Sequence, residues 1–164
     1  MSRSTKGWLF TMLGYTLVLE LMLAAAILYW PNFRDNLGAV KLLSKPLPVL
    51  GDIIAQVESM GVAAYVVGQH FFKGCNVLGA AAAALIGASA VAGEAQRGTL
   101  EIWLARPVTR LRLASERYLS GQAVIWLGVF LTTLTIPLLL TQVDEIMRLD
   151  RLMLCALHQC LFLG

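Results

Sequence analysis

Three long apolar runs are the feature that most limits how this chain can fold. They cover residues 7–33, 62–93 and 114–141, with Glu20 as the one charge in the first run and Lys73 as the one charge in the second. A transmembrane helix needs about 20 mostly apolar residues. The chain is 58% hydrophobic and 14% charged, whereas soluble proteins average roughly 45–50% apolar and about 25% charged residues. Length and composition predict an all-α polytopic membrane protein in which these runs are three complete transmembrane helices.

A fourth apolar run begins at Leu152 and is still apolar at Gly164. It has too few residues to cross a bilayer. It is either a helix lying in the membrane interface or the start of a fourth transmembrane helix in a longer protein. We expect the second, because no polar tail follows, and treat residues 1–164 as one truncated transmembrane domain.

Basic residues set the expected orientation. Four arginines lie in the connection 94–113 between the second and third runs, and Arg3 and Lys6 precede the first run. Short loops rich in Lys and Arg stay in the cytoplasm. We therefore expect a multi-pass protein of the cell (plasma or inner) membrane with a cytoplasmic N-terminus. The formal net charge of +3 and the lack of a basic tract argue against a nucleic-acid partner and leave the lipid bilayer as the surrounding partner.

The connection 34–61 is then the outer loop. Pro31, after two aromatic residues at the membrane edge, is expected to open it, and the stretch 45–48 (KPLP) divides it. Helical spacing of four apolar residues after this break predicts an amphipathic outer helix. That helix either lies in the interface or packs on the ends of the transmembrane helices. The four residues are Leu50, Ile53, Ile54 and Val57.

Small residues mark the second apolar run. Gly79, Ala83 and Gly87 stand four apart and would share one helix face. Small residues allow close approach of helix backbones in lipid, where no hydrophobic force joins helices. The row predicts helix packing.

Glu20 lies near the middle of the first apolar run. A carboxyl group there costs at least about 2.5 kcal/mol on insertion scales, so it is expected to be paired or functional. The other runs offer no basic partner at that depth, and the third offers hydroxyls such as Thr132 and Thr133. Glu20 is therefore either a residue of a translocation path or a structural hydrogen-bond partner.

The histidine and cysteine residues give weak support for a metal site or a reactive thiol. Gln69, His70 and Lys73 are expected to form a polar rim at the membrane interface, because no second metal ligand lies near the histidine. The three cysteines lack metal-ligand spacing and are expected to be buried, inert thiols. They are Cys75, Cys155 and Cys160.

The connection 94–113 holds a predicted short helix. Thr99 is a suitable N-cap, and Pro107 ends helical geometry at the residue before it. The resulting helix has about two turns and is roughly 10 Å long. Helices shorter than about 12 residues are marginal alone, so its apolar edge needs lipid headgroups or a cytoplasmic partner to pack on. That edge consists of Leu100, Trp103 and Leu104.

This connection resembles the signature of type-2 permeases of ATP-binding-cassette transporters. The similar residues are Glu94 and the stretch 98–110, GTLEIWLARPVTR, with Trp103 where a leucine is expected. The resemblance implies that the short helix is a coupling helix, which docks on a cytoplasmic ATPase subunit and transmits its closure. The implied docking residues are Glu94, Arg97, Thr99, Leu100, Glu101, Trp103, Leu104, Arg106, Pro107 and Arg110.

The same resemblance implies a second permease subunit, in a homo- or hetero-dimer. Because the chain has no GxxxxGK[ST] motif, ATP would bind the partner ATPase, with no cofactor and no enzymatic site in this chain. Two other functions are weighed. One is a non-transporting scaffold that recruits a cytoplasmic partner through the arginine-rich loop. The other is an intramembrane enzyme using Glu20 or His70, which is disfavoured because no base–nucleophile pair is expected. The substrate and the direction of transport stay open.

Overall fold

The computed structural model describes residues 3–44, 46–96, 98 and 109–163, and within these ranges it is helical apart from short connections. Side chains are described except at residues 3–8, 89–91, 93, 94, 110 and 113. In chain order the elements are α1 (Arg3–Asp35), α2 (Leu37–Ser44), α3 (Pro48–Met60), α4 (Val62–Val66), a π-helical segment (Val67–Leu78), α5 (Gly79–Gln96), α6 (Arg110–Leu140), a 3₁₀ turn (Thr141–Val143) and α7 (Leu149–Leu163).

Three helical stretches are long and apolar enough to cross a membrane. They are Leu9–Asp35, Val62–Ala88 and Ala114–Val143. Large apolar side chains on these stretches point away from the protein, such as Phe10 at 76% exposure and Leu85 at 72%. Such a surface suits lipid, because a lipid-facing helix satisfies its backbone polar groups internally. The prediction of an all-α polytopic membrane protein with three spanning helices is confirmed.

The first and third spanning helices form the centre of the bundle. α1 and α6 run in the same direction, because their contacts advance together along both helices: Tyr15 lies beside Gly128, Glu20 beside Thr135, and Trp30 beside Glu145 just after α6. Gly128 allows a close approach of the two helices, since a Cβ atom there would lie 2.7 Å from Cδ1 of Tyr15. Five apolar side chains of α1 and α6 have no exposed surface: Leu19, Ile27, Val129, Ile136 and Leu140.

α1 does not end where proline was expected to end it. The helix continues through Pro31 to Asp35, so the expectation that the outer loop opens at Pro31 is wrong. A proline removes one backbone hydrogen bond inside a helix. Aromatic packing on both sides of the proline supports the continuation: the ring centroid of Tyr65 lies 5.0 Å from that of Trp30 and 4.9 Å from that of Phe33.

The predicted break at residues 45–48 separates α2 from α3, and Lys45 itself lies outside the described residues. The apolar face of α3 is buried on one side and exposed on the other. Ile54 and Val57 are buried against the bundle, whereas Leu50 and Ile53 are 45% and 44% exposed. Of the two alternatives given for this helix, packing on the spanning helices therefore applies to its buried side. Gly61, with a φ of 62°, makes the corner into α4.

The second spanning helix is unusual in its middle. α4, the π-helical segment and α5 follow one another without a break, so the helix is continuous from Val62 to Gln96. π-helices occur mostly as single turns and often at functional sites, whereas this segment has 12 residues. α7 packs against α6 and against the π-helical segment, as a fourth helix at the side of the bundle.

Candidate functional site

A carboxyl group and a hydroxyl join α1 to α6 inside the bundle. The hydroxyl of Thr135 lies 2.9 Å from Oε2 of Glu20 and 2.7 Å from the backbone oxygen of Thr132. The partner of Glu20 is thus a hydroxyl of the third spanning helix. Thr132 and Thr133, the hydroxyls expected from sequence, bond carbonyls of their own helix. The pairing supports a structural hydrogen-bond role for Glu20.

His70 lies in the protein interior. It is 2% exposed, so the expected place in an interfacial polar rim is wrong for this residue, while Lys73 is exposed as a rim residue should be. Nε2 of His70 lies 3.4 Å from the hydroxyl of Thr132, which donates to the carbonyl of Gly128 at 2.9 Å. The hydroxyl can then accept a hydrogen bond from the imidazole.

π-helical geometry explains the inward direction of His70. Sγ of Cys75 lies 3.7 Å from Nε2 of His70. Residues five apart in an α-helix point about 140° away from each other. Hydrogen bonds between i and i+5 widen the turn and bring such residues together. Although this contact joins a base and a thiol, Cys75 is 0% exposed, so a substrate has no access to it.

The cysteines are free thiols. Cys75 and Cys160 are buried, and Cys155 is partly buried. The expectation of buried thiols is confirmed for the first two. Within the described ranges, no group of three or more His, Cys, Asp or Glu side chains is placed to hold a metal ion.

Polar contacts attach α7 to the spanning helices. The side-chain amide of Gln159 donates to Oδ1 of Asn76 at 2.7 Å. Nε1 of Trp126 donates to the backbone oxygen of Cys160 at 3.0 Å. Both contacts are partly buried, and a hydrogen bond between membrane helices contributes about 0.6 kcal/mol on average. These bonds join α7 to the π-helical segment and to α6.

The glycines of the small-residue row have different surroundings. A Cβ atom on Gly79 would lie 2.7 Å from Cδ1 of Leu163 and 3.2 Å from the hydroxyl oxygen of Tyr15. Gly79 therefore allows α1 and α7 to approach α5. Ala83 is partly buried. A Cβ atom on Gly87 would meet no heavy atom of the described chain within 4 Å, so any packing at Gly87 involves another molecule or chain segment.

A polar cluster closes the end of the bundle where α1 ends. Nε1 of Trp30, a residue only 2% exposed, donates to Oε1 of Glu145 at 3.0 Å. Nη1 of Arg34 lies 3.4 Å from the same oxygen. The turn before Glu145 has Asp144 in the left-handed conformation, with a φ of 55°. A pocket of about 520 Å³ lies beside this cluster, between the end of α1, the α3–α4 corner and residues 145–147.

The predicted coupling helix lies outside the described residues. The proposed docking residues that fall outside the description are Arg97, Thr99, Leu100, Glu101, Trp103, Leu104, Arg106 and Pro107. Glu94 and Arg110 lie within helices that bound this connection, α5 and α6, but their side chains are also outside the description. Thr109 caps α6, because its hydroxyl accepts from the backbone nitrogen of Arg112 at 3.4 Å.

Comparison with known protein families decides the class of this bundle. The model of one family, described as "ABC-2 family transporter protein", matches residues 3–163. This chain belongs to the ABC-2 transporter family. No curated protein and no solved structure matches it.

Membership identifies the ABC-2 chain as a multi-pass membrane permease of an ATP-binding-cassette transporter. A permease is the membrane subunit of such a transporter and not its enzymatic part. The polar contacts of this permease therefore lie in a helix bundle that serves transport. The arginine-rich connection 94–113 falls within the matched range.

Several residues of the permease interior had no clear sequence signal. Glu145 looked like an acid in a mixed-charge loop, and Thr135 like one hydroxyl among several in the third run. Asn76 and Gln159 are amides in apolar runs, and intramembrane polar residues usually face the bundle interior. That rule could have selected Asn76 and Gln159 as candidates, but their pairing depends on the position of α7.

Proposed function

We propose that this chain is the membrane half of an ATP-driven pump and receives its energy through the connection 94–113. The match to the ABC-2 family over residues 3–163 is the observation that carries the proposal. The coupling-helix residues named from the sequence lie in this connection, and a cytoplasmic ATPase subunit is the partner that they would contact. Binding and hydrolysis of ATP would occur on that partner.

Helix continuity supports a mechanical role for this connection. α5 leads into it and belongs to a helix that is unbroken from Val62, and α6 leads out of it and continues to Leu140. A force applied to the connection would therefore act on the ends of two long helices. Because α5 packs on α6, the two would move together.

Buried polar bonds would transmit this motion to the other helices. The Glu20–Thr135 contact joins α1 to α6, and the Gln159–Asn76 contact joins α7 to the second spanning helix. Hydrogen bonds resist separation in lipid, because no water replaces the lost partner. We propose that α1 and α7 follow the second and third spanning helices when access to the pathway changes.

The orientation and the assembly are part of the same proposal. A cytoplasmic N-terminus and a cytoplasmic connection 94–113 follow from the basic residues that flank the first and second runs. The pump would sit in the cell (plasma or inner) membrane and contain a second permease subunit. No heavy atom of the described residues would lie within 4 Å of a Cβ atom on Gly87, which leaves room for such a subunit.

Co-purification with a cognate ATP-binding-cassette ATPase tests the docking step. Trp103→Asp and Leu104→Asp should abolish association, because a carboxylate cannot enter an apolar contact without a large desolvation cost. Leu111→Asp is the matched control: it adds the same charge at an 80% exposed residue of α6 outside the proposed docking edge. Retained association of the Trp103 and Leu104 variants would exclude this docking edge.

A further inference from the structure

The pocket beside Glu145 is a second candidate site, independent of the coupling connection. Its volume of about 520 Å³ falls within the range of roughly 300–1,000 Å³ that is typical of small-molecule sites. Three segments far apart in sequence line it: the end of α1, the α3–α4 corner and residues 145–147 after the turn at Asp144. We call it the Glu145 pocket.

Apolar side chains form most of the wall of the Glu145 pocket. Val57 and Val62 are buried at 4% and 7% exposure, and Ile146 stands at the rim with 90% of its surface exposed. An exposed isoleucine at the mouth of a pocket favours a ligand with an apolar portion, because its contact removes apolar surface from water.

The charges around the Glu145 pocket are unbalanced. Two carboxylates and one cation line it: Glu58, Glu145 and Arg34. Arg34 lies 3.4 Å from Glu145, and Lys41, which is outside the lining, pairs with Glu58 at 2.6 Å. The lining itself therefore carries one more negative than positive charge. Charge complementarity favours a cationic ligand.

Glu145 has a free acceptor. Both Trp30 and Arg34 contact its Oε1 atom, and within the described chain no hydrogen bond reaches Oε2. The side chain is 26% exposed, so it lines the pocket while Trp30 holds it in place. A carboxylate oxygen fixed in this way can accept a hydrogen bond from an ammonium group.

We propose that the Glu145 pocket binds a small amphiphile that carries one ammonium group. The ammonium group contacts Glu145 Oε2, and the apolar portion contacts the wall near Val57 and Ile146. The same ammonium chemistry occurs in free alkylamines and in ethanolamine phospholipids. Because neither the pocket nor the ligand involves the connection 94–113, this binding does not depend on an ATPase.

Equilibrium dialysis of the purified chain in maltoside micelles tests the site. The probes are radiolabelled octylamine, which is cationic at neutral pH, and 1-octanol as an uncharged molecule of the same chain length, with empty micelles subtracted. Octylamine should bind about tenfold more tightly than 1-octanol, the difference expected of a charge-assisted hydrogen bond. Equal binding of the two probes would overturn the proposal.

Neighbouring acids of the same stretch provide the matched variants. Glu145→Gln should weaken octylamine binding about tenfold, while its amide oxygen can still accept from Trp30. Asp144→Asn removes the same charge one residue away, outside the pocket lining, and asparagine tolerates the left-handed backbone there. It should change the affinity less than about twofold, because an exposed charge is screened. Equal losses in both variants would contradict a specific role for Glu145.

A second variant covers the case in which Glu145→Gln does not fold. Glu58→Gln removes a half-exposed carboxylate of the lining and leaves Lys41 unpaired, so octylamine binding should weaken there too. Unchanged affinity in that variant would count against the charge argument. Adding either an ethanolamine phospholipid or a glycerol phospholipid to the micelles distinguishes the ligand sources. If the ethanolamine lipid displaces octylamine and the glycerol lipid does not, the site binds a lipid headgroup. If neither lipid displaces octylamine, the site binds a free amine.

Discussion

The hydroxyl of Thr135 lies 2.9 Å from the carboxyl group of Glu20, between two spanning helices that run in the same direction. The two residues are 115 positions apart in sequence. This contact gives a mid-membrane carboxyl group its partner and joins α1 to α6.

A double-mutant cycle measures the Glu20–Thr135 contact. Thr135→Val and Glu20→Ala should each destabilise the chain, with a coupling energy of about 0.6–1.7 kcal/mol, the range found between membrane helices. Glu20→Gln should be milder than Glu20→Ala, since an amide both donates and accepts. Unfolding in mixed micelles gives the free energies. Thr141→Val is the control, because that exposed hydroxyl bonds Leu138 of its own helix; a similar coupling of Glu20 to Thr141 would contradict the assigned contact.

Valine at the two glycines of the small-residue row should change the stability of one chain by different amounts. Gly79→Val should reduce the free energy of unfolding by about 1–3 kcal/mol, the usual cost of overpacking, because its Cβ atom would meet Leu163 and Tyr15. Gly87→Val should be nearly neutral in the monomer, where that space is open. Thermal unfolding of the two variants in detergent is the measurement. Equal destabilisation would show that Gly79 is not a close contact.

Chemical accessibility should separate the two histidines and the three cysteines. Diethylpyrocarbonate should modify His158, which is exposed, and leave His70 unmodified in the folded protein. A maleimide should react with Cys155 faster than with Cys75 or Cys160, whose exposure is 0%. Peptide mass spectrometry before and after denaturation locates the modified sites. Rapid labelling of His70 in the native state would disprove its place in the interior.

Cysteine scanning tests the expected orientation. In a variant without native cysteines, Ala95→Cys at the end of α5 should react with a membrane-impermeant maleimide only after cells are opened. Ile146→Cys, at a residue 90% exposed, should react in intact cells. The two residues lie at opposite ends of spanning helices, so labelling both from the same side would reject the three-span topology.

Sequence alone was sufficient for the fold class. Apolar runs long enough for a bilayer leave helices as the structures available to them, because each backbone polar group must be satisfied within the membrane. The ATPase-docking residues remain predictions, since they lie outside the described part of the chain. The approximate positions of the spanning helices followed from hydropathy, and α1 ends at Asp35, two residues after the end of the predicted run. Pro31, at which the outer loop was expected to open, lies inside that helix, and the rings of Trp30 and Phe33 pack on Tyr65 beside it.

Tertiary structure decided which polar groups meet. Hydropathy shows that Glu20 and His70 need partners, but it does not specify how two helices are turned relative to each other. The pairing with Thr135 depends on the register of α1 and α6, and the inward direction of His70 depends on a π-helical segment that shifts residues around the helix axis. Composition determined the membrane fold because burial in lipid depends on the polarity of each residue by itself. Contacts between side chains depend on the rotation, register and distance of the helices, and only the packed bundle fixes these.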